Sequence, residues 1–289
     1  MYRMRPAEFE YHRPTSLDEA ISLLGEIEDS RPLAGGQSLL PLMKLRFATP
    51  AALVDIGRID GLGDISGNGG LTIGALATHA ELAGSEVAIG IAPVLPETAR
   101  LIGDVQVRSC GTIGGSVAHA DPGADYPTLL KALGVTITAT GKNGDRDIPA
   151  DDFFRGFFET ALEPGELVAS VKVPGAPSGT GAAYLKHRHP ASRYAVVGVA
   201  AVVSVANGTC RSARLTIGGV TSPPVHASAA AEALVGGSGT EGAIAAAAEK
   251  VPESLPSAIG DGYASGEYRT HLAKVLAKRA LTRAFERAG

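Results

Sequence analysis

Cysteine is scarce in this sequence, which has only Cys110 and Cys210 among its 289 residues. The two lie far apart, and neither belongs to a CxxC motif or to a His/Cys cluster at metal-ligand spacing. One chain cannot build an iron–sulfur site with four thiolate ligands from two cysteines. Any such cluster must therefore lie on a partner chain.

An excess of basic residues and a long apolar run are also missing. The net charge is −4 and the pI is near 6.0, so we do not expect nucleic acid as a partner. The longest apolar run, residues 194–206, is shorter than the roughly 20 residues that a membrane-spanning helix needs, and residues 1–6 lack the apolar stretch of a secretory signal. We expect a soluble, cytoplasmic protein without a membrane span.

The composition predicts packed domains, because 45% of the residues are hydrophobic and 19% are charged. The length exceeds the roughly 100–200 residues of a typical domain, which predicts two or three domains. The Pro- and Gly-rich run at residues 174–179 interrupts regular structure more strongly than any other segment, so we place a domain boundary there.

Helix and strand patterns are mixed along the whole chain, which indicates an α+β protein. Capping-box patterns at residues 16–19 and 78–81 predict the starts of two helices. We predict a hairpin around the glycines at 67–70, between the β-type runs at 53–56 and 71–75. The other predicted strands are 31–34, 135–140, 167–173, 183–186, 196–205 and 214–217, and the other predicted helices are 39–46, 93–102, 125–133, two Ala-rich segments from about 227 and 240, and 268–287.

Two glycine loops are the most informative motifs. They are Ala34-Gly35-Gly36-Gln37-Ser38-Leu39 and Gly111-Thr112-Ile113-Gly114-Gly115-Ser116. Glycine lets the backbone approach a ligand closely, and successive free N–H groups form a nest for an anion. Either loop alone is first of all a turn, whereas the two together suit a pyrophosphate. Neither loop matches GxGxxG in a βαβ unit or GxxxxGK[ST], so a dinucleotide would have to bind in another way.

These loops resemble the flavin loops of a known family, the FAD-binding medium subunits of carbon monoxide dehydrogenase and the wider xanthine dehydrogenase group of molybdenum hydroxylases. Other segments that resemble the family are 73–75 with 78–79, 120–122 with 124–127, and 267–281 near the C-terminus. The resemblance covers essentially the whole chain. It departs at Gln37, where many carbon monoxide dehydrogenase subunits have His, and this departure weakens an assignment to carbon monoxide.

The resemblance implies a fold and a set of partners. The fold is a PCMH-type FAD-binding domain of two α+β subdomains, residues 1–56 and 57–175, followed by a C-terminal α+β domain of the CO dehydrogenase flavoprotein type at 180–287. FAD would lie between the two subdomains. A molybdopterin-binding large subunit and a small subunit with two two-iron two-sulfur clusters would complete the assembly, as a dimer of heterotrimers.

The resemblance also implies roles for individual residues. Both glycine loops would hold the pyrophosphate through backbone amides, with Asp125 near the ribityl or ribose hydroxyls. Lys186 would lie near the flavin ring, where a cation would stabilise anionic reduced flavin. Val168 would lie against the ring, and Tyr194 would approach its face or edge. The full implied set of cofactor-binding residues is Ala34, Gly35, Gly36, Gln37, Ser38, Leu39, Ile102, Thr112, Ile113, Gly114, Gly115, Ser116, Asp125, Val168, Lys186 and Tyr194.

Several other reactive residues have ordinary structural interpretations. We interpret Cys110 as a buried structural thiol and His79 as a capping or surface histidine. His187 and His189 lack a third metal ligand, which favours a solvated or interface strand. The phenylalanines at 153, 154, 157 and 158 are typical of a core or a subunit contact, with Asp151 and Asp152 capping a helix.

Three functional hypotheses follow from this sequence. The first is an FAD subunit of a molybdenum hydroxylase that collects electrons from a partner's iron–sulfur clusters and gives them to a quinone, NAD or oxygen. The second is a stand-alone PCMH-type flavin oxidase or dehydrogenase, although no catalytic groups for it are identifiable. The third is a flavin-free scaffold or nucleotide-binding protein. The resemblance favours the first and leaves the substrate of the complex open.

Overall fold

The computed structural model describes residues 4–255 and 257–289. Its N-terminal part contains β1 (Glu10–His12), α1 (Leu17–Glu26), β2 (Ser30–Leu33), α2 (Leu39–Lys44) and β3 (Ala52–Asp55). The three strands are parallel and lie in the order β1-β3-β2. Ala20 of α1 is completely buried in one cluster with Val54 of β3, so the helix packs on this small sheet.

The middle part is built around a five-stranded sheet in which all neighbouring strands are antiparallel, in the order β4-β5-β10-β6-β7. A separate two-stranded hairpin is formed by β8 and β9. The elements are β4 (Ile65–Gly67), β5 (Gly70–Gly74), α3 (His79–Gly84), α4 (Glu86–Ile91), α5 (Val94–Leu101), α6 (Val105–Cys110), α7 (Ile113–His119), α8 (Asp125–Leu133), β6 (Thr136–Gly141), β7 (Gly144–Pro149), α9 (Ala150–Phe153), β8 (Phe154–Gly156), β9 (Glu159–Thr160) and β10 (Leu167–Pro174).

The C-terminal part contains a four-stranded antiparallel sheet in the order β11-β12-β13-β14. The long helix α12 packs along β11 and β12. The elements are β11 (Thr180–Arg188), β12 (Ala195–Ala206), β13 (Thr209–Gly218), β14 (Val225–His226), α10 (Ser228–Glu232), α11 (Glu241–Glu249), a 3₁₀ helix (Val251–Ser254) and α12 (Gly266–Ala288). None of the helices in the described ranges is both long enough and apolar enough to cross a bilayer.

The C-terminal sheet is buried on both of its faces, because successive side chains of a strand point to opposite sides. Ala183 and Val199 belong to the core under α12, whereas their neighbours Tyr184 and Ala200 belong to the core of the middle part. Helix α8 packs against β12 and β13 on this second face, and the absence of a side chain at Gly218 makes room for Thr128. The middle and C-terminal parts therefore share one packed interface through α8.

Two local predictions require correction. A hairpin does form at the glycines of residues 67–70, but its first strand is β4 rather than the run at 53–56. That run is β3, whose residues Ala52, Leu53 and Val54 are buried between two parallel neighbours. The first capping box is also shifted, since Ser16 accepts the Glu19 N–H as predicted while the Glu19 carboxylate accepts the Thr15 N–H at 2.8 Å.

Candidate functional site

A cleft of about 370 Å³ lies where the three parts of the chain meet. The N-terminal part contributes the loop after β2, and the middle part contributes the segment before α7, the start of α8 and β10. The loop between β11 and β12 contributes Ser192 and Tyr194. The cleft therefore has walls from every part of the molecule.

The first glycine loop presents a row of unused donors to this cleft. Gly36 has a φ of 72°, a backbone conformation that favours glycine, and a side chain at Gly35 would collide with the carbonyl of Cys110. The N–H groups of residues 35–39 find no acceptor among the residues that the structure describes. Successive free N–H groups in a tight turn form a concave site for an anion.

The second glycine loop packs against the first but uses most of its donors internally. Gly114 is seated on Ala75, where a side chain would not fit. The N–H of Ile113 is bonded to the Ala77 carbonyl at 3.0 Å, that of Gly114 to the Ala75 carbonyl at 2.8 Å, and that of Gly115 to the Thr112 hydroxyl at 3.1 Å. The two loops are therefore not equivalent, and the free backbone donors belong mainly to the first.

A buried carboxylate also lines the cleft. Asp125, the first residue of α8, is 5% exposed and lines the cleft. Its carboxylate accepts the Tyr184 hydroxyl at 2.6 Å and the Lys186 ammonium at 2.7 Å. Burial raises the pKa of Asp125, while the Lys186 charge and both hydrogen bonds oppose that rise.

Lys186 lies behind Asp125 and is not part of the cleft lining. Its side chain is 3% exposed, and its ammonium also donates to the Arg193 carbonyl at 2.8 Å. The backbone N–H of His189 donates to the Tyr194 carbonyl at 2.8 Å in the same loop. Lys186 and His189 thereby hold the loop that brings Tyr194 to the cleft, where burial raises the pKa of the Tyr194 hydroxyl.

Fourteen of the sixteen residues predicted from the sequence line this cleft, and Ile113 and Lys186 do not. Ile113 is completely buried in the core of the middle part. The lining residues are Ala34, Gly35, Gly36, Gln37, Ser38, Leu39, Ile102, Thr112, Gly114, Gly115, Ser116, Asp125, Val168 and Tyr194. Whether each of them contacts a cofactor stays a prediction.

Two histidines in the lining were not predicted as site residues. His79 is 5% exposed rather than on the surface, so our interpretation of it as a surface or capping residue is wrong. Burial and the nearby Arg108 lower the pKa of His79 to about 4. Burial also lowers the pKa of His119, whose ring lies 5.0 Å from that of Phe158. The Thr78-His79 pair, one of the segments that resemble the family, was the sequence signal that could have indicated His79 as a site residue.

Several minor interpretations are also corrected by the structure. Cys110 is exposed, and Cys210 is the buried thiol. Phe153 and Phe154 lie in the core, but the side chains at 157 and 158 are exposed. Asp151 does not cap a helix, because it accepts hydrogen bonds from Arg214 and His226 at 2.7 Å each.

No group of three or more His, Cys, Asp or Glu side chains within the described residues is placed to hold a metal ion. His187 and His189 instead lie near the ring of Tyr263, at 6.4 and 4.6 Å between ring centroids.

Two family profiles match the chain in succession. The FAD binding domain in molybdopterin dehydrogenase matches residues 7–176, and the CO dehydrogenase flavoprotein C-terminal domain matches residues 182–284. Together they cover most of the 289 residues.

Individual relatives match over nearly their full lengths. The carbon monoxide dehydrogenase medium chain of Afipia carboxidovorans is 40% identical, over 99% of both chains. The 6-hydroxypseudooxynicotine dehydrogenase complex subunit alpha of Paenarthrobacter nicotinovorans is 36% identical, over 99% of this chain and 97% of that protein. The solved structure of quinoline 2-oxidoreductase from Pseudomonas putida 86 superposes with a TM-score of 0.93 at 35% identity, covering 98% of this chain and 99% of the matched chain. The chain therefore belongs to the FAD-binding medium subunits of the carbon monoxide dehydrogenase and xanthine dehydrogenase family, and it is the flavoprotein subunit of an oxidoreductase.

Proposed function

We propose that this chain holds FAD in the cleft and passes electrons from the iron–sulfur clusters of a partner subunit to an external acceptor. The observation that carries the proposal is the row of unpaired N–H groups at residues 35–39, in a cleft that is also lined by a buried carboxylate. Such a row fits a pyrophosphate, because it offers several donors to anionic oxygens without a cationic side chain.

The rest of the cleft fits the other parts of FAD. Ile102, Leu167 and Val168 give an apolar wall on which a flavin ring could pack. Asp125 offers carboxylate oxygens to a hydroxyl or a ring N–H, and its bonds to Tyr184 and Lys186 hold it in one orientation. In this proposal Lys186 positions Asp125 and, as the family resemblance implies, places a positive charge behind the carboxylate near the ring.

The chain's part in electron transfer is to bind, orient and shield the cofactor. When bound, FAD supplies the exchange between one-electron and two-electron chemistry that such a relay needs. Tyr194 and Ser192 stand on the loop at one wall, where they limit the access of water to the ring. Two cysteines do not supply the four thiolates of an iron–sulfur cluster, so in this proposal the clusters that deliver electrons lie on a second polypeptide.

We further propose the assembly in which this subunit works. It contains a molybdopterin-binding large subunit and a small subunit with two two-iron two-sulfur clusters, forms a dimer of heterotrimers, and is located in the cytoplasm. Its organisation as 1–56, 57–175 and 180–287 is part of the same proposal, supported by the separate sheets found in these ranges. The relatives' names cite chemically different substrates, which fits a substrate pocket on another subunit and a common electron relay here.

The proposal is tested on the tagged chain purified under gentle conditions from its native host. The expected preparation contains FAD, iron, molybdenum and two additional polypeptides, measured by absorption, acid release of the cofactor, and metal analysis. FAD alone, with activity of the single chain toward an organic donor, would instead support a stand-alone flavoenzyme. A folded preparation without flavin or metals would refute the relay and leave the flavin-free scaffold.

A further inference from the structure

His79 has one ring nitrogen that the protein does not use. It is the first residue of α3, where the capping box of Thr78 and Glu81 fixes the start of the helix. Nδ1 lies 3.3 Å from the Tyr126 hydroxyl, and Nε2 has no hydrogen-bond partner among residues 4–255 and 257–289. Nε2 lies against Gly111, where an added Cβ would approach it to 2.9 Å. Both residues line the cleft.

Tyr126 determines which nitrogen of the ring carries the proton. Its side chain is completely buried, and within the described residues its hydroxyl has only Nδ1 as a hydrogen-bond partner. If Nδ1 carried the proton, the phenolic hydrogen would be buried without an acceptor. If the hydroxyl donates to Nδ1, both groups are satisfied and the proton is on Nε2. At neutral pH the ring has no second proton, because burial and Arg108 lower its pKa to about 4.

The Nε2–H group lies beside a loop that has few free backbone donors. The N–H groups of Ile113, Gly114 and Gly115 are all bonded within the protein, so the second glycine loop has few backbone donors left for a ligand. The imidazole edge lies beside Gly111 at the beginning of this loop. A neutral N–H at this position adds a directed donor without adding a charge.

We propose that the Nε2–H of His79 is a binding donor for a phosphate oxygen of FAD at the second glycine loop, and that Tyr126 is the positioning residue that fixes its tautomer. The inference rests on the proposed function, since it assumes that FAD is the occupant of the cleft. Hydrogen bonds to charged groups are stronger than those between neutral groups. A nearly buried donor without a protein partner therefore contributes most to binding affinity when its acceptor is an anion.

The test measures FAD binding to the cofactor-free full-length chain by titration calorimetry. His79→Leu removes the donor and should weaken binding about tenfold to a hundredfold. His79→Gln, whose amide reaches a similar position, should restore most of the affinity. Tyr126→Phe, which frees the other tautomer, should fall between the wild type and the leucine variant. The matched control is His187→Leu, a half-buried histidine outside the cleft lining, which should bind as the wild type does.

A second measurement keeps the idea testable if a variant does not fold. Long-range ¹H–¹⁵N spectra of the wild type should show the His79 ring protonated on Nε2, with the Nε2 shift moving when FAD binds. A ring protonated on Nδ1, or leucine-variant affinity equal to that of the wild type, would overturn the role of His79 while leaving FAD binding intact. A wild-type chain that binds no FAD would refute the proposed function as well.

Discussion

Replacing Lys186 by methionine tests whether its buried ion pair with Asp125 supports the fold. The side chains of Lys186 and Asp125 are 3% and 5% exposed, and their charged atoms are 2.7 Å apart. Removing one member of a buried pair leaves the other charge without compensation, which typically costs about 3–5 kcal/mol. We expect Lys186→Met to lower the free energy of unfolding of the cofactor-free chain by this amount at pH 7, measured by urea titration.

The loss should depend on pH in a defined direction. Burial already raises the pKa of Asp125, and removal of the ammonium raises it further. The native variant then binds this proton more tightly than the unfolded chain does, so its stability rises as the pH falls toward the ordinary carboxyl pKa of about 4. The deficit relative to the wild type should therefore be smaller at pH 5 than at pH 7.

Lys172 supplies the matched control for this prediction. It pairs with Asp147 at 2.9 Å, but the two side chains are 44% and 52% exposed. Exposed pairs contribute only about 0–1 kcal/mol, so Lys172→Met should change stability by no more than that. The double variant Asp125→Asn with Lys186→Met should recover part of the loss, since it buries no charge. Equal effects of Lys186→Met and Lys172→Met would refute the reasoning.

Three further predictions concern other parts of the chain. Gly35→Ala should lower the free energy of unfolding by about 1–3 kcal/mol and weaken FAD binding, because its methyl group would collide with the Cys110 carbonyl. The control is Gly25→Ala in α1, whose methyl group would meet no atom within 4 Å. This control should raise the free energy of unfolding by about 0.5–1 kcal/mol. If the alanine at 35 is tolerated like that at 25, the close packing of the two loops is wrong. The pKa of His79 is lowered from 6.5 to about 4, so between these pH values the unfolded chain binds the proton more tightly than the native chain does. The wild type should therefore lose up to about 3 kcal/mol of stability as the pH falls through that interval. The His79→Leu variant should show none of this loss. Parallel pH curves for the two proteins in thermal denaturation would contradict this. Arg269→Leu should lower the free energy of unfolding in urea by about 3 kcal/mol, because the carbonyls of Val196 and Gly219 lose their guanidinium donor. A loss below about 1 kcal/mol would show that water replaces this donor.

Much of the fold could be predicted because the local signals agree with the final packing. The Val-rich run at 196–205 predicted a strand, and the corresponding β12 is buried on both faces. The hairpin partner was missed because Ile65-Ser66-Gly67 has only one apolar residue and no clear period. The run at 53–56 has a strong β pattern, but such a pattern does not indicate whether the neighbouring strands are parallel or antiparallel. In the folded chain this run forms β3, which pairs with two parallel strands.

The lining of the cleft was predictable where a motif is continuous, and less so where it depends on distant residues. The two glycine loops are short motifs, and their lining of the cleft could be expected. The position of Lys186 behind Asp125 joins residues 61 apart in the chain, and no local pattern contains it. The hydrogen bond between His79 and Tyr126 likewise joins residues that are 47 apart. Which backbone donors stay free could be known only from the hydrogen bonds of the folded loops.

The double burial of the C-terminal sheet has a consequence for how members of this family can diverge. Tyr184 and Lys186 donate to the Asp125 carboxylate and Tyr194 lines the cleft, yet all three lie beyond residue 176, where the FAD-binding profile ends. A chimera joined in the connection at 175–179 would therefore inherit its glycine loops from one parent and the support of its buried carboxylate from the other. Recombination at this single crossover could retune the cofactor environment without altering either glycine loop, provided that α8 still fits the new sheet.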